Sequence, residues 1–244
     1  QQEGKLSIHD RLTTHLPEYD SVIRDGRMHD ITLRHLLIMA SGHDSCACPQ
    51  MFAEPTGDWA RGFLSSQLTY LPGERFIYNS AATYMLSVIV RKVTGMNVRE
   101  YLLPRLFEPL SIKPGIWENC PHGINVGGWG LYLTTEDIAK FAQFLLQNGS
   151  WNGKQLISSD FLHDAVSQEI DTAACSDADW KQGYGYQFWL SRHGFRADGA
   201  AGQLALVIPE ADMAIAITSG IDRVQDLLTV IWELLPELSD TVLP

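Results

Sequence analysis

Residues 80–95, SAATYMLSVIVRKVTG, constrain the fold more than any other stretch of the 244-residue chain. Tyr84, Met85, Val88, Ile89 and Val93 recur at helical spacing, and Leu86 and Val90 occupy the opposite side. A helix that is apolar nearly all round must be covered on every side. The chain therefore has to build its other elements around this helix. Ser80 is the expected N-cap and Gly95 the expected stop. Hydrophobic residues make up 45% and charged residues 19%, which supplies a core and argues against disorder.

Thr32 is placed to cap a helix over residues 33–39, before Ser41-Gly42. Pro72-Gly73 is a turn. Asn97 starts a helix running to about residue 106, which Pro104 kinks or breaks. Gly127-Gly128-Trp129-Gly130 is a glycine-rich turn. Thr134 with Asp137 caps a helix over 136–147, whose inner stripe is Ile138, Phe141, Phe144 and Leu145. A shorter helix follows at 160–166. After Gly183 the pattern changes. Residues 184–190, 204–208 and 213–218 read as strands, with a turn at Pro209-Glu210-Ala211-Asp212. Val224, Leu227, Leu228, Ile231 and Leu235 mark an amphipathic C-terminal helix. Helices, then antiparallel strands, then one closing helix is an α+β layout. The expected organisation is one domain over 1–244, with a mainly helical lobe at 1–180 and a sheet lobe at 181–244.

Several function classes are excluded. A formal net charge of −11 leaves no basic footprint for nucleic acid. No run approaches the roughly 18 apolar residues of a membrane span. Cys46 and Cys48 stand too close for an easy mutual bridge, and with Cys120 and Cys175 they read as free thiols. That leans to a reducing, cytoplasmic setting; nothing else bears on localisation. His43, Cys46, Cys48, Cys120 and His122 gather along the chain, but their spacing matches no common zinc module. Neither a metal nor another cofactor is expected. The six lysines are preceded at three residues by Gln2, Ile89, Leu110, Asp137, Trp151 and Ala178, so no Ser-x-x-Lys occurs. The nucleophile elbow, the zinc-protease helix, the phosphate loop and the dinucleotide fingerprint are also absent.

A set of segments appears in a fixed order. They are Glu3-Gly4-Lys5-Leu6-Ser7, Leu16-Pro17-Glu18, residues 31–37 with Ser41-Gly42-His43, residues 72–80 (PGERFIYNS) and Val93-Thr94-Gly95. Residues 127–131 with Thr134-Thr135-Glu136-Asp137 and Phe141 follow, then Tyr184-Gly185-Tyr186, and finally Asp198-Gly199-Ala200-Ala201-Gly202. Together they resemble the serine β-lactamase-related family, which includes class C β-lactamases, D-alanyl-D-alanine peptidases and related esterases. The resemblance covers nearly the whole chain.

It implies a β-lactamase/transpeptidase-like fold, with an antiparallel sheet flanked by helices and a mainly helical lobe. It implies a serine hydrolase that forms an acyl-enzyme on an ester, amide or β-lactam, hence a small-molecule substrate with a carbonyl group. In the family the Ser-x-x-Lys helix directly precedes the Glu-Gly-Lys-Leu segment, so the nucleophile is expected upstream of Gln1. The chain then reads as truncated at its N-terminus and inactive alone, and its sheet edge awaits a missing N-terminal segment or a partner chain.

The resemblance also assigns residues. Tyr78-Asn79-Ser80 matches the family's Tyr-x-Ser, with Tyr78 passing a proton and Ser80 making a polar contact; Asn79 is grouped with the substrate-binding residues. The third motif aligns with Ala197-Asp198-Gly199, where Ala197 takes the usual cationic position. Arg196 or His193 would supply the charge, although Arg196 and Asp198 read equally well as a surface pair. Gly199 admits the substrate backbone, and the Ala200 amide matches an oxyanion donor. Residues 127–131 either border the site or form a turn with Trp129 as packing. The competing function is a non-catalytic binding module or pseudo-enzyme remnant, to which Ala197 and the missing nucleophile point.

Overall fold

A computed structural model describes residues 1–242, with side chains through Leu235. Residues 243–244 of the expected sheet lobe lie outside the described residues. The chain divides into two units, Gln1–Pro109 with Lys113–Tyr132, and Leu110–Ile112 with Leu133 onward. The boundary expected at residue 180 thus falls at 132. The reason is the helix beginning at Thr135, which packs on the sheet and so belongs with it.

The first unit contains α1 (Leu12–His15), α2 (Leu33–Leu37), α3 (Cys48–Phe52), α4 (Trp59–Leu64), α5 (Ser80–Thr94) and α6 (Val98–Leu102). α5 is its axis. No residue from Ala81 to Val90 is exposed, and Arg91 and Lys92 are the first to reach water. α1, α2, α3, α4 and α6 all pack against it. Its Tyr84, Met85, Val88 and Ile89 share one apolar cluster with Leu12, Met28, Leu36 and Phe63. The all-round apolar pattern therefore has the consequence expected of it. Gly95 closes the helix in the left-handed region at φ 74°, where a Cβ would be strained.

The N-cap is displaced by one residue from expectation. Asn79, not Ser80, caps α5, accepting a hydrogen bond from the Ala81 amide at 3.1 Å, and Ser80 becomes the first helical residue. Thr32 caps α2 as expected, accepting from the His35 amide, while the Thr32 amide donates to His35 Nδ1. α6 begins at an Asn97–Glu100 capping box and widens into a π-turn at Leu103–Phe107. Pro104 lies inside that turn, where its missing N–H disturbs the helical ladder.

Gly127 and Gly128 run directly over the start of α5. A Cβ on Gly127 would stand 2.5 Å from Ser87 Oγ, and one on Gly128 would stand 2.7 Å from the Ser80 carbonyl oxygen. Trp129 then packs beside Trp59 and Phe52, at ring separations of 6.0 and 5.9 Å. The segment is thus a packing turn.

The second unit contains α7 (Thr135–Leu146), the small hairpin β1 (Ser150–Trp151) and β2 (Lys154–Gln155), then α8 (Ser159–Ala165). β3 (Trp189–Ser191), β4 (Gly194–Gly199), β5 (Gln203–Ile208), β6 (Met213–Ile217) and α9 (Val224–Val242) follow. The sheet runs β3-β4-β5-β6, antiparallel throughout. β5 is central and buried. Its Leu204, Leu206 and Ile208 meet Leu228, Ile231, Trp232 and Leu235 of α9. Alternation turns Ala205 and Val207 to the other face, and α7 packs against β5 and β6. Thr134 caps α7 by accepting from the Asp137 amide.

Two strands depart from the local sequence reading. The strand expected over 184–190 is reduced to Trp189–Ser191, because Gln187 turns the chain at φ 66°. β4 mixes Phe195, Arg196 and Asp198 with small residues and gives no alternating signal. Its entry needs Gly194, whose φ is 90° and whose Cβ would lie 2.1 Å from the Val207 carbonyl oxygen.

The glycine crossing yields a stability prediction. Gly128→Ala should cost about 1–3 kcal/mol in urea unfolding, because the obstacle is backbone that cannot rotate away. Gly127→Ala should cost a similar amount, since its Cβ would also stand 2.7 Å from the Thr83 carbonyl oxygen. Equal stability of the Gly128→Ala variant and the parent chain would contradict the close crossing.

Candidate active site

The second-motif residues come together at the N-terminus of α5. Asn79 has 0% exposure and every polar group of it is engaged. Its Oδ1 accepts from the amides of Ala47 and Ala81, both at 3.1 Å, and its Nδ2 donates to Ser41 Oγ at 3.4 Å. Its own amide donates to Met39 Sδ at 3.3 Å. A buried carboxamide is stable only with such partners. Asn79 is therefore a structural joint here, not the substrate contact expected of it. It ties the turn after α2, the turn before α3 and the first turn of α5.

That joint sets its neighbours. Tyr78 is 47% exposed and Ser80 is half-buried. Because Asn79 takes over the capping role, Ser80 Oγ is not committed to the helix end. The network continues inward from Ser41. His43 lies buried, with Nδ1 2.9 Å from Ser41 Oγ and Nε2 2.8 Å from Ser66 Oγ. Burial holds its imidazole down to about 4, against the opposing influence of Asp44 and Asp25.

Of the cysteines and histidines that gather along the sequence, Cys120 and His122 are engaged apart from the others. Tyr84 Oη donates to Cys120 Sγ at 3.3 Å, and His122 Nε2 stands 3.2 Å from the Thr56 carbonyl oxygen. Among the described residues no group of three or more His, Cys, Asp or Glu side chains is placed to hold a metal ion.

In the second unit, Arg196, Asp198, Gly199 and Ala200 come together along β4 and its end. Arg196 has 0% exposure, which overturns its reading as an accessible cation or a surface pair. Its Nε donates to Asp198 Oδ2 at 3.0 Å. Its Nη1 donates to the carbonyls of Asp179 and Leu190 and to Ser191 Oγ, at 3.0 to 3.1 Å. The guanidinium lies 4.7 Å from the Trp180 ring centre and 5.8 Å from that of Trp189. Burial pushes the Asp198 carboxyl up and the Arg196 guanidinium down, and each charge opposes the other's shift. Asp179 extends the network to α9, accepting from Trp232 Nε1 at 2.9 Å and Gln225 Nε2 at 2.6 Å. No sequence motif signals Asp179 or Trp232. His193 packs its ring against Trp232.

Gly199 pairs with Gln203, so β4 ends there and residues 200–202 form a turn, exposed at Ala200 and Ala201 and buried at Gly202. Ser219 Oγ donates to this turn at the carbonyls of Ala201 (2.8 Å) or Gly202 (3.0 Å), and the Ile221 amide donates to Ala201 as well. Ala200 is thus presented at the surface on a braced backbone. A hollow of about 390 Å³ beside Gln147, Trp151 and Asn152 contains none of the candidate residues.

Two predictions follow from these networks. Arg196→Ala should cost about 3–5 kcal/mol in chemical unfolding, because it strands the buried Asp198 charge; an unchanged midpoint would return Arg196 to the surface. His43 should show an NMR titration midpoint near about 4, not its ordinary 6.5. The unfolded chain takes up that proton first. The contribution of neutral His43 is therefore complete above about pH 6.5 and is lost as pH falls through about 4. A midpoint near 6.5 would contradict the buried geometry.

Comparison with known proteins places this arrangement. An uncharacterized protein of Alkalihalophilus pseudofirmus is 26% identical over 65% of this chain. The chain spans about half of that relative, 46% of its length. Among solved structures, the "Putative 6-aminohexanoate-dimer hydrolase" from Bacillus anthracis superimposes with a TM-score of 0.79 at 20% identity, covering 99% of this chain and 68% of its own. The LovD6 mutant of simvastatin synthase from Aspergillus terreus gives 0.72 at 14% identity, covering 98% and 78%. At these identities the likeness shows the fold, which is β-lactamase/transpeptidase-like and α+β. The sequence model described as Beta-lactamase matches residues 1–227, most of the chain and all of the ordered motifs, and this chain belongs to the beta-lactamase family.

Proposed function

We propose that the protein carrying this chain is a serine hydrolase that forms an acyl-enzyme on a small molecule with an ester, amide or β-lactam carbonyl. The observation that carries this reading is Tyr78, exposed just before the central helix α5 within a chain of the beta-lactamase family. The serine and lysine of Ser-x-x-Lys come from residues outside these 244, since no lysine here has a serine three positions before it. Tyr78 passes the proton between nucleophile and leaving group. Ser80 makes a polar contact to that lysine or to substrate. The Ala200 amide is one oxyanion donor, a contribution typically worth about a hundred- to thousandfold in rate, and Gly199 and Asp198 line the approach beside it. The neighbours' names, a hydrolase of one small molecule and a synthase of another, fit a small-molecule substrate.

The sheet supports a further part of the reading. β6 is apolar and half-exposed along its length and, among the described residues, pairs only with β5. A strand from outside this chain, or from a partner chain, would complete that edge. A second reading, a non-catalytic binding module, is favoured by Ala197 and by the burial of Arg196, which leave the third motif without an exposed cation.

A fluorophosphonate probe on a longer form of the protein separates the two. Labelling of a serine in an upstream Ser-x-x-Lys is expected. In that form, Tyr78→Phe should slow acylation about a hundredfold or more. A folded protein that carries Ser-x-x-Lys and never labels would leave the binding-module reading. An unchanged acylation rate would remove Tyr78 from the mechanism.

A further inference from the structure

Two thiols meet at the N-terminus of α5. Cys46 Sγ and Cys48 Sγ are 3.1 Å apart, and both residues are half-buried, within reach of a small solute. The turn that carries them is held in place by the Ala47 amide, which donates to the buried Asn79 Oδ1. The backbone amides of Cys48, Ala81 and Ser80 face the Cys46 sulfur, the Ala81 amide while bonded to Asn79 Oδ1. Those donors favour a charged sulfur at Cys46, so the shared proton belongs on Cys48.

The surroundings add no competing charge. α3 carries no ionisable side chain beyond Cys48, and α5 carries no charged residue before Arg91. Asp44 is exposed and bonded to Ser45 and Thr69, and His43 is turned inward to Ser41 and Ser66. The hydrogen bond from Cys48 and the helix amides bring the Cys46 thiol down to about 5, while the same hydrogen bond, burial and the Cys46 charge push the Cys48 thiol up. Thiols with lowered values at helix N-termini are the reactive ones.

We infer that Cys46 and Cys48 form a redox-active dithiol, with Cys46 attacking a hydroperoxide and Cys48 resolving the product to a disulfide. In the first step the Cys46 thiolate attacks one peroxide oxygen and the O–O bond breaks. The sulfur is oxidised by two electrons to sulfenic acid, and the other oxygen leaves as hydroxide (from hydrogen peroxide) or alkoxide (from an organic hydroperoxide) and takes up a proton to give water or an alcohol. In the second step the Cys48 sulfur attacks the Cys46 sulfur, the S–O bond breaks, and the leaving hydroxide takes the Cys48 proton as water. The one-residue spacing that makes an easy structural bridge unlikely at rest suits a strained disulfide that thiols readily reduce. Oxidation also removes the negative sulfur from the first turn of α5. The chemistry does not depend on the hydrolase reading and is tested without a hydrolase substrate.

The test uses the reduced chain, hydrogen peroxide and dimedone, read by peptide mass mapping. The parent chain should lose two mass units in the peptide carrying Cys46 and Cys48, and recover them with dithiothreitol. Cys48→Ser should accumulate a dimedone adduct on Cys46, and Cys46→Ser should give neither disulfide nor adduct on Cys48. In the unsubstituted chain at pH 6, Cys46 should alkylate at least tenfold faster than Cys175, whose thiol is pushed up by burial and by Asp171 and Asp177. That comparison within one molecule requires no variant to fold. Equal alkylation of Cys46 and Cys175, or sulfenic acid forming on Cys48 instead, would overturn the inference.

Discussion

The side chain of Asn79 is the interaction on which the first unit's candidate site depends. A carboxamide with no exposure, in a core built from Leu12, Met28, Phe63 and Met85, must find every partner inside the protein. It finds them on the turn at Met39 and Ser41, on Ala47 before α3, and locally on Ala81. One residue thereby caps the central helix and anchors the two turns packed over its end. Tyr78 and Ser80 take their positions from it. The middle residue of the Tyr-x-Ser motif is the one that holds the other two.

The second unit repeats the principle with charge. Arg196, fully buried, pairs with the mostly buried Asp198 on β4, and the guanidinium also bonds three oxygens and lies over two tryptophans. Such a pair fixes geometry more than it adds stability. Through Asp179 it joins the sheet to α9, at Trp232 and Gln225. The position beside Ala197 is therefore committed to the architecture. What β4 offers outward is its end, Gly199 and the braced turn at Ala200.

The legible parts of the fold were those written in local pattern. The seven apolar positions of residues 84–93 announced an enclosed helix, and Thr32, Thr134 and Gly95 marked helix ends because capping chemistry is local. The illegible parts were set by distant groups. Ser80 looked like a better cap than Asn79 until Ala47 and Ser41 were brought to the carboxamide. Residue 180 looked like a lobe boundary because the strands begin after it, yet the amphipathic α7 buries its stripe on those strands. Arg196 looked like a surface cation because nothing in the strand itself announces Asp179, Trp180 and Trp189 around it.

The sequence by itself determined the class of the fold, the axis helix and the order of the family's motifs, including the absence of Ser-x-x-Lys. Periodicity, capping and motif order are properties of neighbouring residues, so they can be read along the chain. Tertiary structure alone decided which polar residues are spent on the core. Asn79 and Arg196 lost their expected outward roles, while Cys46 and Cys48 acquired a helix end and each other. Burial and hydrogen bonding are set by groups distant along the chain, 53 positions between Asp179 and Trp232, and no local pattern records them.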